Sequence, residues 1–262
     1  MYDHHKQSIQ NLIDYFKDDV SVVAVILGGS VAKECERIDS DIDAIVVVTE
    51  EKYSELLENN KLSECITGYC TYENGYFDIK YCTKEYLMSV AEKGSEPARN
   101  AFLKAKCLYT ADDKIPTLVS QIPVFQKAEK SDKLLSFYSA FSLSHAYFWG
   151  ASENDIYLRV RSAADIVLFG FRLLLEEGEV LFPCQKSLLK AVSELKNKPE
   201  NIIKKSNYFL TTLDDASKDD FVHSILSFIA YQPPQDLSEV LTRYTADNEL
   251  WWYKERPIIS EW

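Results

Sequence analysis

Val25-Ile26-Leu27-Gly28-Gly29-Ser30-Val31-Ala32-Lys33 and, shortly after it, Asp39-Ser40-Asp41-Ile42-Asp43-Ala44-Ile45-Val46-Val47-Val48 decide how this chain is read. The apolar run from Val22 to Leu27 reads as a buried strand ending at Gly28-Gly29. There the missing Cβ lets the backbone turn tightly and approach a ligand. Ser30 falls where a helix begins, so its hydroxyl and the first free amides face whatever lies above the strand. That is the geometry of an anion site suited to a phosphate. Gly-Gly-Ser alone is common in turns. The second run, Ile42 to Val48, is apolar and β-branched, hence a second strand. Asp41 and Asp43 stand two apart at its mouth, so both side chains share one face while Ile42 takes the other. Adjacent carboxylates at the end of a buried strand repel unless a cation lies between them. Mg²⁺ prefers carboxylate and phosphate oxygens, so a metal–nucleotide complex relieves the repulsion and fills the anion site together. The plainer alternative is a pair of solvated aspartates.

Outward from this stretch, Ile9, Leu12, Ile13, Tyr15 and Phe16 recur at helical spacing within residues 5–18. Residues 31–37 fit a short helix and 52–59 another. Two β-like segments, 66–72 and 76–81, are split by Glu73-Asn74-Gly75, a strong hairpin signal. Strands mixed with helices indicate an α+β or α/β domain over residues 1–115. Past Pro116 and Pro123 the pattern changes. Ser131-Asp132 reads as the cap of a helix carrying Leu134, Phe137, Tyr138, Phe141, His145 and Phe148 on one face. A second helical stretch, 155–177, stops at Gly178, the expected C′ position. Further helices are expected near 184–196, 201–212, 219–231 and 235–249. Residues 125–262 thus read as an all-α helical bundle, with 115–125 as the linker.

The chain has 262 residues, 46% apolar and 27% charged, enough for two packed domains. No run approaches the ~20 apolar residues of a membrane span, and the N-terminus lacks a secretory signal, so a cytoplasmic protein without a membrane partner is expected. The net charge of −12 repels a phosphate backbone and no basic stripe offsets it, which argues against nucleic acid as a partner. The same field either draws in a cationic small molecule or serves solubility alone. Cysteines at 35, 65, 70, 82, 107 and 184 include no Cys-x₂-Cys pair, so free, mostly buried thiols are expected rather than a zinc site.

Gly28-Gly29-Ser30, a spacer, then Ser40-Asp41-Ile42-Asp43 resembles the signature of the nucleotidyltransferase superfamily that includes DNA polymerase beta. The added helical half is similar in arrangement to aminoglycoside and lincosamide nucleotidyltransferases. The resemblance implies an α+β fold, with a mixed-sheet nucleotidyltransferase domain followed by a helical domain for the acceptor. It also implies a third carboxylate on a later strand. Asp78 in Tyr76-Phe77-Asp78-Ile79-Lys80-Tyr81 is the best match, since alternation sends Phe77, Ile79 and Tyr81 to one face and Asp78 with Lys80 to the other. Glu73 and Glu85 are the replacements. Asp41, Asp43 and Asp78 are then the metal ligands for two Mg²⁺ ions, and Asp78 the acceptor of the attacking hydroxyl's proton. Gly28, Gly29 and Ser30 would grip the phosphates of ATP or another nucleoside triphosphate. Lys80 reads either as a phosphate contact or as an exposed strand lysine.

In the helical half, Glu153, Asp155, Arg159 and Arg161 read as a solvated helix end or a phosphate grip, and Lys186 as a further phosphate contact or a surface lysine. His145 reads as a core histidine rather than a base. Trp251-Trp252-Tyr253 and Trp262 read as packing or a subunit contact. The expected activity is transfer of a nucleoside monophosphate, AMP first, to a hydroxyl of a small molecule such as an aminoglycoside or lincosamide antibiotic, by a monomer or homodimer. Transfer to a protein, as in toxin–antitoxin modules, and a non-catalytic nucleotide-binding scaffold are the alternatives.

Overall fold

The computed structural model describes residues 1–254 and 257–262. The chain divides into two compact units: Met1–Gly94 with Ala98–Val124, and Ser95–Pro97 with Phe125–Trp262.

The first unit is built on strands β1 (Val22–Leu27), β2 (Ile42–Val48), β3 (Ser63–Thr67), β4 (Tyr76–Cys82) and β5 (Lys106–Thr110), in the order β3-β4-β2-β1-β5. β2 runs parallel to β4, and the other neighbours are antiparallel. The helices are α1 (Asp3–Phe16), α2 (Gly29–Ala32), α3 (Glu50–Glu58), α4 (Lys84–Lys93), α5 (Glu96–Ala101, whose first two residues count with the second unit) and α6 (Ile115–Gln121). Alternation along the central strands sorts their side chains into two cores. Val25, Leu27, Ile42, Ala44, Val46 and Phe77 pack with Leu12 and Phe16 of α1. Ala24, Ile26 and Val47 pack with Leu87 of α4 and Ile115 and Val119 of α6 on the other face. Because both faces are covered, β1 and β2 are apolar almost without interruption. Thr49 caps α3 by accepting from the Lys52 amide, and Thr83 caps α4 by accepting from that of Tyr86.

Several expectations are corrected here. The helix after the glycines is only α2, not 31–37. The hairpin pairs β3 with β4, but its first strand is Ser63–Thr67 and the connection spans 68–75, with Asn74 left-handed at φ +59°. Residues 115–121 are helical, not a linker. Pro116 sits in the first turn of α6, where its missing N–H leaves no partner wanting, and Ile115 and Ile122 are fully buried. All six cysteines are free, yet only Cys82 is buried.

The second unit contains α7 (Lys130–Leu143), which runs through a π-helical turn, Ser144–Phe148, into α8 (Trp149–Ala151). It continues with α9 (Ile156–Glu177), α10 (Leu188–Ser193), α11 (Ile202–Thr212), α12 (Asp215–Leu226), α13 (Leu237–Asn248) and α14 (Trp251–Lys254). Among the described residues it has no strand. Its core gathers Phe137, Phe141, Ile166, Phe171, Phe209 and Phe221. α7 starts after Glu129, so Ser131 and Asp132 lie inside its first turn rather than capping it. α12 begins at Asp215, earlier than expected, because Asp214 caps it through the Ser217 amide. α9 ends on Gly178, which stays right-handed. Glu179, at φ +53°, takes the left-handed position, and the Val180 N–H closes onto the Leu175 carbonyl. No helix among the described residues is long and apolar enough to cross a membrane.

Candidate active site

The register of β2 on β4 sets Asp43 beside Asp78. Paired residues of neighbouring parallel strands point to the same face, roughly 4.8 Å apart along the hydrogen-bonding direction. Asp41, one pleat earlier, joins them. One carboxylate oxygen from each of Asp41, Asp43 and Asp78 lies within 4.8 Å of the other two, all three side chains half-buried. Glu73 and Glu85 are outside this group. Burial pushes the Asp43 carboxyl above its ordinary range, and the charges of Asp41 and Asp78 push it further, while Lys80 and the Ser30 amide pull the other way.

The surrounding chain holds this arrangement. The Tyr76 hydroxyl donates to Asp41 Oδ2 at 3.0 Å, a bond that raises the phenol's pKa. The Tyr72 hydroxyl donates to the Ser40 carbonyl at 2.5 Å, and Ser40 Oγ accepts from the Arg37 amide at 2.9 Å. The segment entering β2 is therefore pinned from both sides. Gly28 N–H donates to the Asp43 carbonyl at 2.9 Å, which fixes the turn against the strand. Gly29 is left-handed at φ +61°, and a Cβ there would fall 1.7 Å from Asp43 Oδ2. Only glycine lets this turn and this carboxylate coexist.

Beside the acids lies a cleft of about 160 Å³, lined among others by Gly28, Gly29, Lys33, Asp43, Asp78 and Lys80. Ser30 and Asp41 are not on its wall. Ser30 is the second residue of the four-residue α2, and its amide helps hold the Asp43 carboxyl's pKa down. Lys80 is solvent-exposed at the rim. Lys33 was missed by the sequence reading; it sits at the C-terminal end of α2 and donates to Asn100 Oδ1 at 2.9 Å. A cation closing the helix that carries the glycine turn was the available signal. Three hard oxygen donors with two lysines at hand fit a divalent cation that also carries phosphate oxygens.

In the second unit the other candidates have separate partners. Asp155 caps α9 through the Leu158 amide. Arg159 lies 3.9 Å over the Trp149 ring and Arg161 pairs with Asp165 at 2.7 Å. Glu153 and Lys186 are exposed. His145 packs on the Phe141 ring, and burial pulls its pKa down to about 4, the behaviour of a neutral packed histidine. Trp252 and Tyr253 are 68% and 66% exposed, so they are not core packing.

Comparison with known proteins gives one family match and two structural likenesses. Residues 10–114 match the family model described as polymerase beta, nucleotidyltransferase. Among solved structures, a nucleotidyltransferase-like protein from Exiguobacterium sibiricum 255-15 aligns over 96% of this chain and 79% of its own, with 10% identity and a TM-score of 0.46. A spectinomycin adenyltransferase from Enterococcus faecialis, solved with ATP and spectinomycin, aligns over 93% of this chain and 96% of its own, with 12% identity and a TM-score of 0.33. No curated protein sequence matches closely enough to count as a relative. Over residues 10–114 the chain is thus similar to the nucleotidyltransferase domain of the polymerase beta family.

Proposed function

We propose that this protein is a cytoplasmic, Mg²⁺-dependent nucleotidyltransferase that moves AMP from ATP to a hydroxyl of a small molecule. The observation that carries the reading is the convergence of Asp41, Asp43 and Asp78 within 4.8 Å beside a glycine turn and a lysine-edged cleft. A scaffold has no use for three crowded carboxylates, one of them with a raised pKa.

Asp41, Asp43 and Asp78 are the residues that would hold the metal. Mg²⁺ bound there supplies charge neutralisation at the attacking and leaving oxygens of an in-line displacement. The chain's own groups do the rest. Asp78 takes the proton of the acceptor hydroxyl as its oxygen bonds to the α-phosphorus and the bond to pyrophosphate breaks. Lys80 and Lys33 meet the negative charge that collects on the phosphates. Gly28 and Gly29 let the triphosphate approach the backbone with no side chain intervening. Tyr76 and the pinned Ser40 hold Asp41 toward the other acids. The test is pyrophosphate release from each nucleoside triphosphate with Mg²⁺, against a panel of aminoglycosides, lincosamides and other polyols. Release with ATP that disappears in Asp43→Asn supports the reading; equal release from both proteins defeats it.

A further inference from the structure

The helical unit encloses a second cleft, of about 180 Å³, lined by residues of that unit alone. Its walls include Ser144 and Phe148 from the π-helical turn, Arg161 and Asp165 from α9, Tyr244 from α13 and Trp251 from α14. We propose that this cleft binds a single uncharged hydroxylated ring, a monosaccharide or cyclitol. The site is separate in its residues from the carboxylate triad, and the inference does not depend on nucleotide transfer.

Three observations lead there. First, the π turn shapes the wall. In an α-helix four residues advance ~400°, so Phe148 would lie ~40° round from Ser144. Here the Trp149 N–H closes onto the Ser144 carbonyl, five residues back, so the wider turn swings Phe148 back from that position, and both residues line the cleft. Such turns are uncommon and cluster at functional sites.

Second, the polar groups present one donor and one acceptor side by side without net charge. Arg161 Nε donates to Asp165 Oδ2 at 2.7 Å. The terminal nitrogens of this 62%-exposed arginine and the second Asp165 oxygen have no protein partner among the described residues. A vicinal diol answers both at once, because each hydroxyl is donor and acceptor. The other acid on the wall, Asp247, is already engaged by Ser136 Oγ at 2.6 Å and Arg243 Nε at 2.9 Å, so the cleft does not select a polycation.

Third, the aromatic rings form a bent floor. Phe148 and Tyr244 meet at 45° with centroids 5.8 Å apart. A flat base prefers parallel faces, whereas the C–H face of a puckered ring seats in the angle. The volume is that of one such ring with its hydroxyls, small for a site that encloses a drug-sized ligand.

The experiment is saturation-transfer NMR and calorimetric titration of the full chain, without nucleotide or metal. The probes are myo-inositol, methyl glucoside, glucosamine and adenosine. Binding of the two neutral rings in the low-millimolar range is expected, the strength about a dozen heavy atoms can supply. Asp165→Asn and Tyr244→Ala should each weaken it about 10-fold with far-UV circular dichroism unchanged, and Asp43→Asn should leave it as it is. The proposal is overturned if neither neutral ring binds, if glucosamine or adenosine alone binds, if both cleft variants bind as the parent does, or if Asp43→Asn abolishes binding.

Discussion

Asp43 is held in an environment that disfavours its charged form, and that tension can be measured. Its folded pKa is raised, by burial first and then by its two acidic neighbours, so an unfolded chain ionises it more readily than the folded one does. A raised carboxyl destabilises the folded state progressively as pH climbs past the ordinary value of 3.8 toward the folded one. Asp43→Asn should therefore melt higher than the parent at pH 7 without metal, the gap closing toward pH 4, while turnover is lost. Equal melting points at both pH values would show that the crowding is relieved some other way. Asp41→Asn should also abolish turnover, and Asp78→Asn should lower kcat by roughly 10²-fold or more, the size of a lost proton acceptor. A change confined to KM would make Asp78 a binding group. Gly29→Ala places a Cβ on top of Asp43 Oδ2 in a left-handed conformation that costs about 1–2 kcal/mol in itself. Its Mn²⁺ affinity, read by electron paramagnetic resonance, should fall at least about 10-fold as the carboxylate is displaced.

At the scale of elements, legibility follows burial. β1, β2 and β4 were readable because their inward residues are apolar and their ends are marked by Gly28, Asp41 and Gly75. β5 was not, because Lys106-Cys107-Leu108-Tyr109-Thr110 is a half-exposed strand that pairs with β1 alone and shows no clean alternation. α6 was hidden for another reason: Pro116 and Pro123 look like a linker, yet a proline in the first helical turn is compatible with a helix. Ile115 is fully buried against the sheet, so Ile115→Ala should cost about 2–5 kcal/mol in urea unfolding. A loss under about 0.5 kcal/mol would mean the segment is only a connection.

At the scale of the whole molecule, the second unit carries a cluster of buried charged residues. The second unit buries Glu96, Lys133, Arg172 and Glu176, with Lys133 to Glu96 at 3.0 Å and Arg172 to Glu96 at 3.4 Å. Burial, and then the Glu96 charge, push Glu176 well above the ordinary carboxylate range, so it is held protonated near neutrality. The folded state binds a proton that the unfolded state releases above about pH 4.5, and stability declines with pH by up to about 1.4 kcal/mol per unit. Glu176→Gln keeps the neutral shape and removes the titration. It should match the parent near pH 5 and exceed it increasingly toward pH 8 in urea melts; a constant difference would show that Glu176 is ionised in the fold.

The sequence by itself determined the glycine turn, the strand carrying Asp41 and Asp43, the face that Asp78 occupies and the helical character of the second half, because each is a local consequence of side-chain period and turn chemistry. Which strands lie side by side was decided only in three dimensions. The parallel pairing of β2 with β4 sets Asp43 beside Asp78, and a slip of one residue would turn Asp78 to the opposite face. The clash that excludes a side chain at Gly29, the placement of Lys33 by Asn100 and the cleft under the π turn are likewise contacts between residues distant in sequence. No local pattern encodes them, since they arise when separate apolar faces are buried together and carry their polar neighbours with them.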